Sequence, residues 1–241
     1  TTSSNTDGSI TSTVQANTTA GFSIVKYGGN DTAGATIGHG LGVKPQRIFL
    51  KNISFNDSWM CFDETNGANN FTSLDVADGT NDAYSMWNDT APTTSVFSVG
   101  SDSGGRWVNN TGDDYIAYCF ASIKGYSKMG TYKGNGSSDG TFIYTGFKPA
   151  WFLAKRTAGG DNTSHWTMLD STRNSFNVAE NYLHANETNA ENTNNQKADF
   201  LSNGIKLRSV SRHNDSGSTY IYMAFAEHPF VSSKGAPITA R

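Results

Sequence analysis

Five histidines, two cysteines and a few well-placed carboxylates are the groups in this 241-residue sequence able to bind metal or move protons. His39, His165, His184, His213 and His228 lack the i, i+2 or i, i+4 spacing that sets two imidazoles on one ion, so each is expected as a surface or capping residue. Asp75, Asp78 and Asp82 cluster as ligands of a hard cation such as calcium would, but the D-x-[DN]-x-[DN]-G order is missing. No metal and no cofactor is expected. Asp63 and Asp170 each close a strand-like run, where an Asx turn accounts for them. Acid catalysis of glycan cleavage needs a second carboxylate opposite the first, and no obvious one accompanies either.

The chain has no G-x-S-x-G elbow, no H-E-x-x-H, no Walker loop and no C-x-x-C pair. Gly134-Asn135-Gly136 is read as a turn, because the Lys-Ser/Thr and helix of a phosphate loop do not follow. Catalytic residues are therefore not expected. The better ligand candidates are Trp87 and Trp107, in loops rich in Gly and Asn, where an aromatic face can stack on the apolar C–H face of a sugar. Cys61 and Cys119 lie in apolar runs and are expected as buried, reduced thiols.

These residues need a scaffold, and the scaffold is signalled by an internal repeat. Lys44-Pro45-Gln46-Arg47-Ile48-Phe49-Leu50-Lys51 returns as Lys148-Pro149-Ala150-Trp151-Phe152-Leu153-Ala154-Lys155. Trp59 to Asp63 returns as Trp166 to Asp170, and Tyr115 to Ala121 as Tyr220 to Ala226. The repeat predicts two tandem all-β modules, small sandwiches of jelly-roll type, over residues 21–125 and 126–234. Residues 1–20, rich in Thr, Ser and Asn, are expected as an arm or linker, and 235–241 as a tail. In the first module, runs bounded by turn residues predict strands at Phe22–Tyr27, Arg47–Asn52, Trp59–Asp63, Ser95–Val99 and Tyr115–Ala121. Asn177 to Asn195 is expected as a long loop with at most a turn or two of helix.

Alternation in the last strand of each module divides its side chains into two faces. Ile116, Tyr118 and Phe120, with Ile221, Met223 and Phe225, are the larger apolar set and are expected in the cores; Trp59 and Trp166 are expected there too. The opposite face carries Tyr115, Ala117, Cys119 and Ala121, with Tyr220, Tyr222, Ala224 and Ala226, and is also poor in charge. Tyr115, Ala117, Tyr220 and Tyr222 are accordingly expected at a subunit interface of a homo-oligomer, a trimer or an array.

Charged residues make up only 16 % of the chain and the formal net charge is -3, so no nucleic-acid partner is expected. No apolar run approaches the roughly 20 residues that span a bilayer, and no membrane insertion is expected. The runs Thr19 to Val25, Tyr115 to Ala121, Gly125 to Gly130, Asp199 to Arg208 and Tyr220 to Phe230 are similar to the C-terminal region of large structural proteins of aquatic tailed phages. There the region often follows a concanavalin-like, lamin-G-like lectin domain. The resemblance implies a virion surface protein, extracellular, a tail fibre or appendage that assembles with other virion proteins and engages host-surface glycans. It supplies no site residues. An extracellular adhesin or filament subunit outside viruses is the alternative, and a glycan depolymerase the second.

Overall fold

The computed structural model describes residues 1–82, 84–101, 106–157, 164–193 and 195–229. The expected tail at 235–241 lies outside the described residues. The chain is all-β and divides into two compact units, Thr1–Asp75 with Thr80–Ser122, and Val76–Gly79 with Ile123–Arg241.

In the first unit the strands are β1 (Ser3–Asn5), β2 (Ser12–Asn17), β3 (Phe22–Gly28), β4 (Ala35–Gly38), β5 (Arg47–Asn52), β6 (Met60–Asp63), β7 (Asn70–Ser73), β8 (Asn81–Asp82), β9 (Val96–Val99) and β10 (Asp114–Phe120), with one helical turn, α1 (Tyr84–Trp87). The large sheet runs β1-β2-β3-β10-β5-β6-β7-β8, and β4 pairs with β9 in a small second sheet. Val25, Leu50, Phe62, Tyr115 and Ala117 from the large sheet share one core with Ile37, Phe97 and Val99 from the small one, which makes the unit sandwich-like.

The second unit contains β11 (Ser127–Lys133), β12 (Phe142–Tyr144), β13 (Pro149–Arg156), β14 (Thr167–Asp170), β15 (Tyr182–His184), β16 (Ala198–Leu201), β17 (Gly204–Leu207) and β18 (Thr219–Ala226). Its sheets run β11-β18-β13-β14-β15 and β12-β17-β16. The first of these follows the same order as β3-β10-β5-β6-β7, and β12-β17 corresponds to β4-β9. Matching detail extends to single atoms. Tyr27 Oη donates to the Val108 carbonyl at 2.6 Å and Tyr132 Oη to the His213 carbonyl at 2.7 Å. A Cβ on Gly29 would come within 2.3 Å of the Asn110 carbonyl oxygen, and one on Gly134 within 2.3 Å of that of Asp215, so only glycine fits either crossing.

Three expectations change. Residues 12–17 are not an arm: β2 pairs antiparallel with β3, Val14 opposite Val25, and buries Val14 although its other residues are polar or small. The pairing is made by backbone groups, which composition does not report. The faces of the last strands are also exchanged. Tyr115, Ala117 and Cys119, with Tyr220, Tyr222 and Ala224, point into the cores, while Ile116, Tyr118 and Phe120 are half-buried on the far side of the sheet. Ile221 and Met223 are buried outside the core cluster of their unit, and Phe225 is half-buried. Small residues at the centre of the strand leave room for Ile37 and Phe97 of the covering sheet, so side-chain size inverted the reading. Residues 177–195 hold β15 and no helix among the described residues.

Cys61 and Cys119 are both buried thiols, and burial pushes the Cys119 thiol up to about 12.

Candidate functional site

The strongest concentration of chemical groups lies in the second unit, at the end of the β14–β15 ladder. Thr167 opens β14 and pairs with His184, the last residue of β15. The Ala185 amide then donates to the Trp166 carbonyl at 3.0 Å, so the antiparallel register carries on and sets His165 opposite Asn186. Opposite residues point to the same side, which gathers His165, Thr167, His184 and Asn186 on one face. The two imidazole rings lie 4.5 Å apart, and Glu187 follows at once in the turn. Ligand atoms of His165, His184 and Glu187 all lie within 4.8 Å of one another.

A cavity of about 10 Å³ opens beside these groups, lined also by Arg156, Gln196, Arg212 and His213. That is room for about one water molecule or ion, too little for an organic ligand. Its polar network is directional. Gln196 Oε1 accepts from Thr167 Oγ1 at 2.7 Å and from His213 Nδ1 at 2.8 Å, while Gln196 Nε2 donates to His184 Nε2 at 3.3 Å. His184 therefore keeps its Nε2 lone pair. Burial, and next the His165 ring, push His184 down to about 4; burial also brings His213 to about 4 and lowers His165. Near neutral pH all three are uncharged imidazoles. Arg156 is compensated by Asp215 at 3.0 Å.

In the first unit the residues taking these places are different. Ser58, which precedes Trp59, stands where His165 precedes Trp166. Val108 stands where His213 does. The expectation that the histidines are scattered is thus corrected for His165 and His184, which lie 19 residues apart but meet through strand register. Only a prediction of β15 and its pairing would have revealed it.

The other candidates separate clearly. Trp87 is not a ligand platform: it is 1 % exposed, in the core, edge-on to Phe62 at 5.6 Å. Trp107 is 37 % exposed, next in sequence to Arg106, whose guanidinium lies 4.5 Å over the ring of exposed Phe55. Arg106 Nε donates to Asp113 Oδ2 at 2.7 Å, and that contact holds the Asp113 carboxyl below the usual range. Tyr115, Ala117, Tyr220 and Tyr222 are at most 3 % exposed and form core, not subunit interface. Trp166 is buried, whereas Trp59 is half-buried and stacks on Tyr118 at 6.0 Å.

Asp63 and Asp170 make the same turn. Asp63 Oδ1 accepts from Thr65 N at 2.9 Å, and Asp170 Oδ1 from Thr172 N at 2.9 Å and Arg173 N at 2.8 Å. Asp75 Oδ1 accepts from the Trp59 amide at 3.1 Å.

A protein-family model described as a domain of unknown function (DUF7483) matches residues 1–229. The chain belongs to that family. No curated protein and no solved structure matches it. The DUF7483 match covers β1 to β18, so it spans both sandwich-like units of this chain.

Proposed function

We propose that this DUF7483 chain is a virion surface protein, a tail-fibre or appendage component built from two copies of one sandwich module, that binds host-surface glycans rather than catalysing a reaction. The observation that carries the binding part is the exposed Phe55 ring with the Arg106 guanidinium 4.5 Å over it and fixed by Asp113, and the exposed Trp107 next to Arg106 in sequence. Rigid aromatics flanked by a planar, pre-oriented donor suit a sugar, whose ring stacks and whose hydroxyls accept hydrogen bonds. The matched strand orders and the paired Tyr27–Val108 and Tyr132–His213 hydrogen bonds support descent of the two units from one module. The location at a virion surface, the association with other virion proteins and self-association into a trimer or array rest on the resemblance to phage structural proteins. They do not rest on Tyr115, Ala117, Tyr220 or Tyr222, which are core.

The test is retention of the purified chain on an array of bacterial surface polysaccharides, beside the variant Phe55→Ala/Trp107→Ala. Saturable binding that falls at least about tenfold in the variant, equivalent to about 1.4 kcal/mol, supports the reading. Absence of binding to every polysaccharide, or equal binding by both proteins, rejects it.

A further inference from the structure

We propose that His165, His184 and Glu187 form a binding site for a divalent transition-metal ion of the zinc type, completed by one water. Two imidazoles and a carboxylate are the donor set that such an ion takes in three-ligand sites with an open fourth position. The ligand atoms are already gathered within 4.8 Å, and the adjoining cavity of about 10 Å³ holds one further small ligand.

The hydrogen bonds around His165 carry the argument further. Asn186 Oδ1 accepts from the Trp166 amide at 2.9 Å, which fixes the orientation of that side-chain amide. Its Nδ2 then faces His165 Nδ1 at 2.9 Å as a donor, so Nδ1 is the unprotonated nitrogen. Glu187 Oε1 lies 3.1 Å from the same Nδ1. A carboxylate oxygen and an imidazole lone pair at that distance repel unless something positive lies between them. A proton on Nδ1 would satisfy Glu187 but collide with the Asn186 N–H. A metal ion needs the same Nδ1 lone pair, so it binds both groups only as the Asn186 amide moves off Nδ1; at metal–ligand distances of about 2.0–2.1 Å, donors 3.1 Å apart then subtend an angle of roughly 100°.

Behind His184, Thr167 Oγ1 lies 3.4 Å from Nδ1 and accepts that N–H, as partners of metal-bound histidines do, which leaves Nε2 as the ligating nitrogen once the ion displaces the long 3.3 Å contact from Gln196 Nε2. Arg212 at the rim opposes a cation, and the Glu187 carboxylate offsets it. The first unit reaches the same strand order with Ser58 and Val108 in the places of His165 and His213, so a sandwich of this kind does not require the imidazoles.

The test uses the untagged full chain, stripped with chelator, titrated with Zn²⁺ by calorimetry and with Co²⁺ by visible absorption. One saturable site per chain is expected, with zinc affinity reduced at least about tenfold in E187Q and in H184N and unchanged in H228N, which alters an exposed histidine elsewhere. Zn²⁺ should raise the thermal midpoint of the parent chain and not that of E187Q. Glu187 is a half-buried turn residue, so E187Q decides the matter if H184N does not fold. No saturable uptake of either ion, or uptake undiminished in E187Q, overturns the proposal.

Discussion

Tyr132 and Tyr220 lie on adjacent strands with their rings stacked at 4.8 Å and only 5° from parallel, and both hydroxyls fasten the loop between β17 and β18. Tyr27 and Tyr115 repeat the arrangement in the first unit at 5.2 Å. Tyr220 Oη accepts from the Asp215 amide at 2.9 Å and donates to the Arg212 carbonyl; Tyr115 Oη accepts from the Asn110 amide at 2.9 Å and donates to the Arg106 carbonyl at 3.1 Å. Phenylalanine keeps the stacking and takes the hydroxyl from two backbone groups in each unit, although the Arg106 carbonyl still accepts from Asn52 Nδ2 at 2.7 Å. Tyr115→Phe and Tyr220→Phe are each expected to cost about 2 kcal/mol, read from denaturant unfolding. A loss below about 0.5 kcal/mol would mean that water replaces the hydroxyl without penalty.

Asp63 and Asp170 close the same turn but differ in their ion pairs. Asp63 meets Arg47, and both are buried; Asp170 meets Arg173 at 2.9 Å on a partly exposed surface. Asparagine can make either turn, so substitution isolates the charge. Asp63→Asn is expected to destabilise by roughly 3 kcal/mol because it removes the carboxylate charge facing a buried guanidinium, and Asp170→Asn by under about 1 kcal/mol. Equal losses in urea melts would show that the turn, not the buried charge, matters at Asp63.

How much of this was legible in the sequence differs by feature. Strands β3, β5, β6, β9 and β10 were, because Gly, Asn and Ser punctuation frames short β-branched and aromatic runs. Their faces were not: a central strand apolar on both sides has no polar alternation to orient it, and Ala117 and Cys119 are core because a second sheet presses on them. Strand β2 was missed because five of its six residues, in Ser12-Thr13-Val14-Gln15-Ala16-Asn17, are polar or small. The histidine cluster depends on the register between β14 and β15 across a loop of polar residues, a relation carried by backbone pairing rather than by residue spacing.

Acid should weaken the metal-free chain in a defined window. Burial lowers His39 in the first unit and brings His213 to about 4 in the second. The unfolded chain, with ordinary histidines near 6.5, takes up the proton first. Stability is therefore full above about pH 6.5, declines as the pH falls towards about 4, and loses nothing more from His213 below that. Its share at the low end is about 3 kcal/mol. Asp113, whose carboxyl is held low, acts only below its ordinary 3.8. Urea midpoints measured across this range should slope most steeply between pH 6 and 4.5, and a flat profile there would contradict the buried neutral assignment of His213.

The central claim, a surface component of a virion, is tested most directly by labelling intact particles from the source of this sequence with gold-conjugated antibody raised against the purified chain. The account predicts label on fibres or other external appendages, reproducibly at one location on each particle. Gold that never associates with particles, or that appears only after they are disrupted, would contradict it.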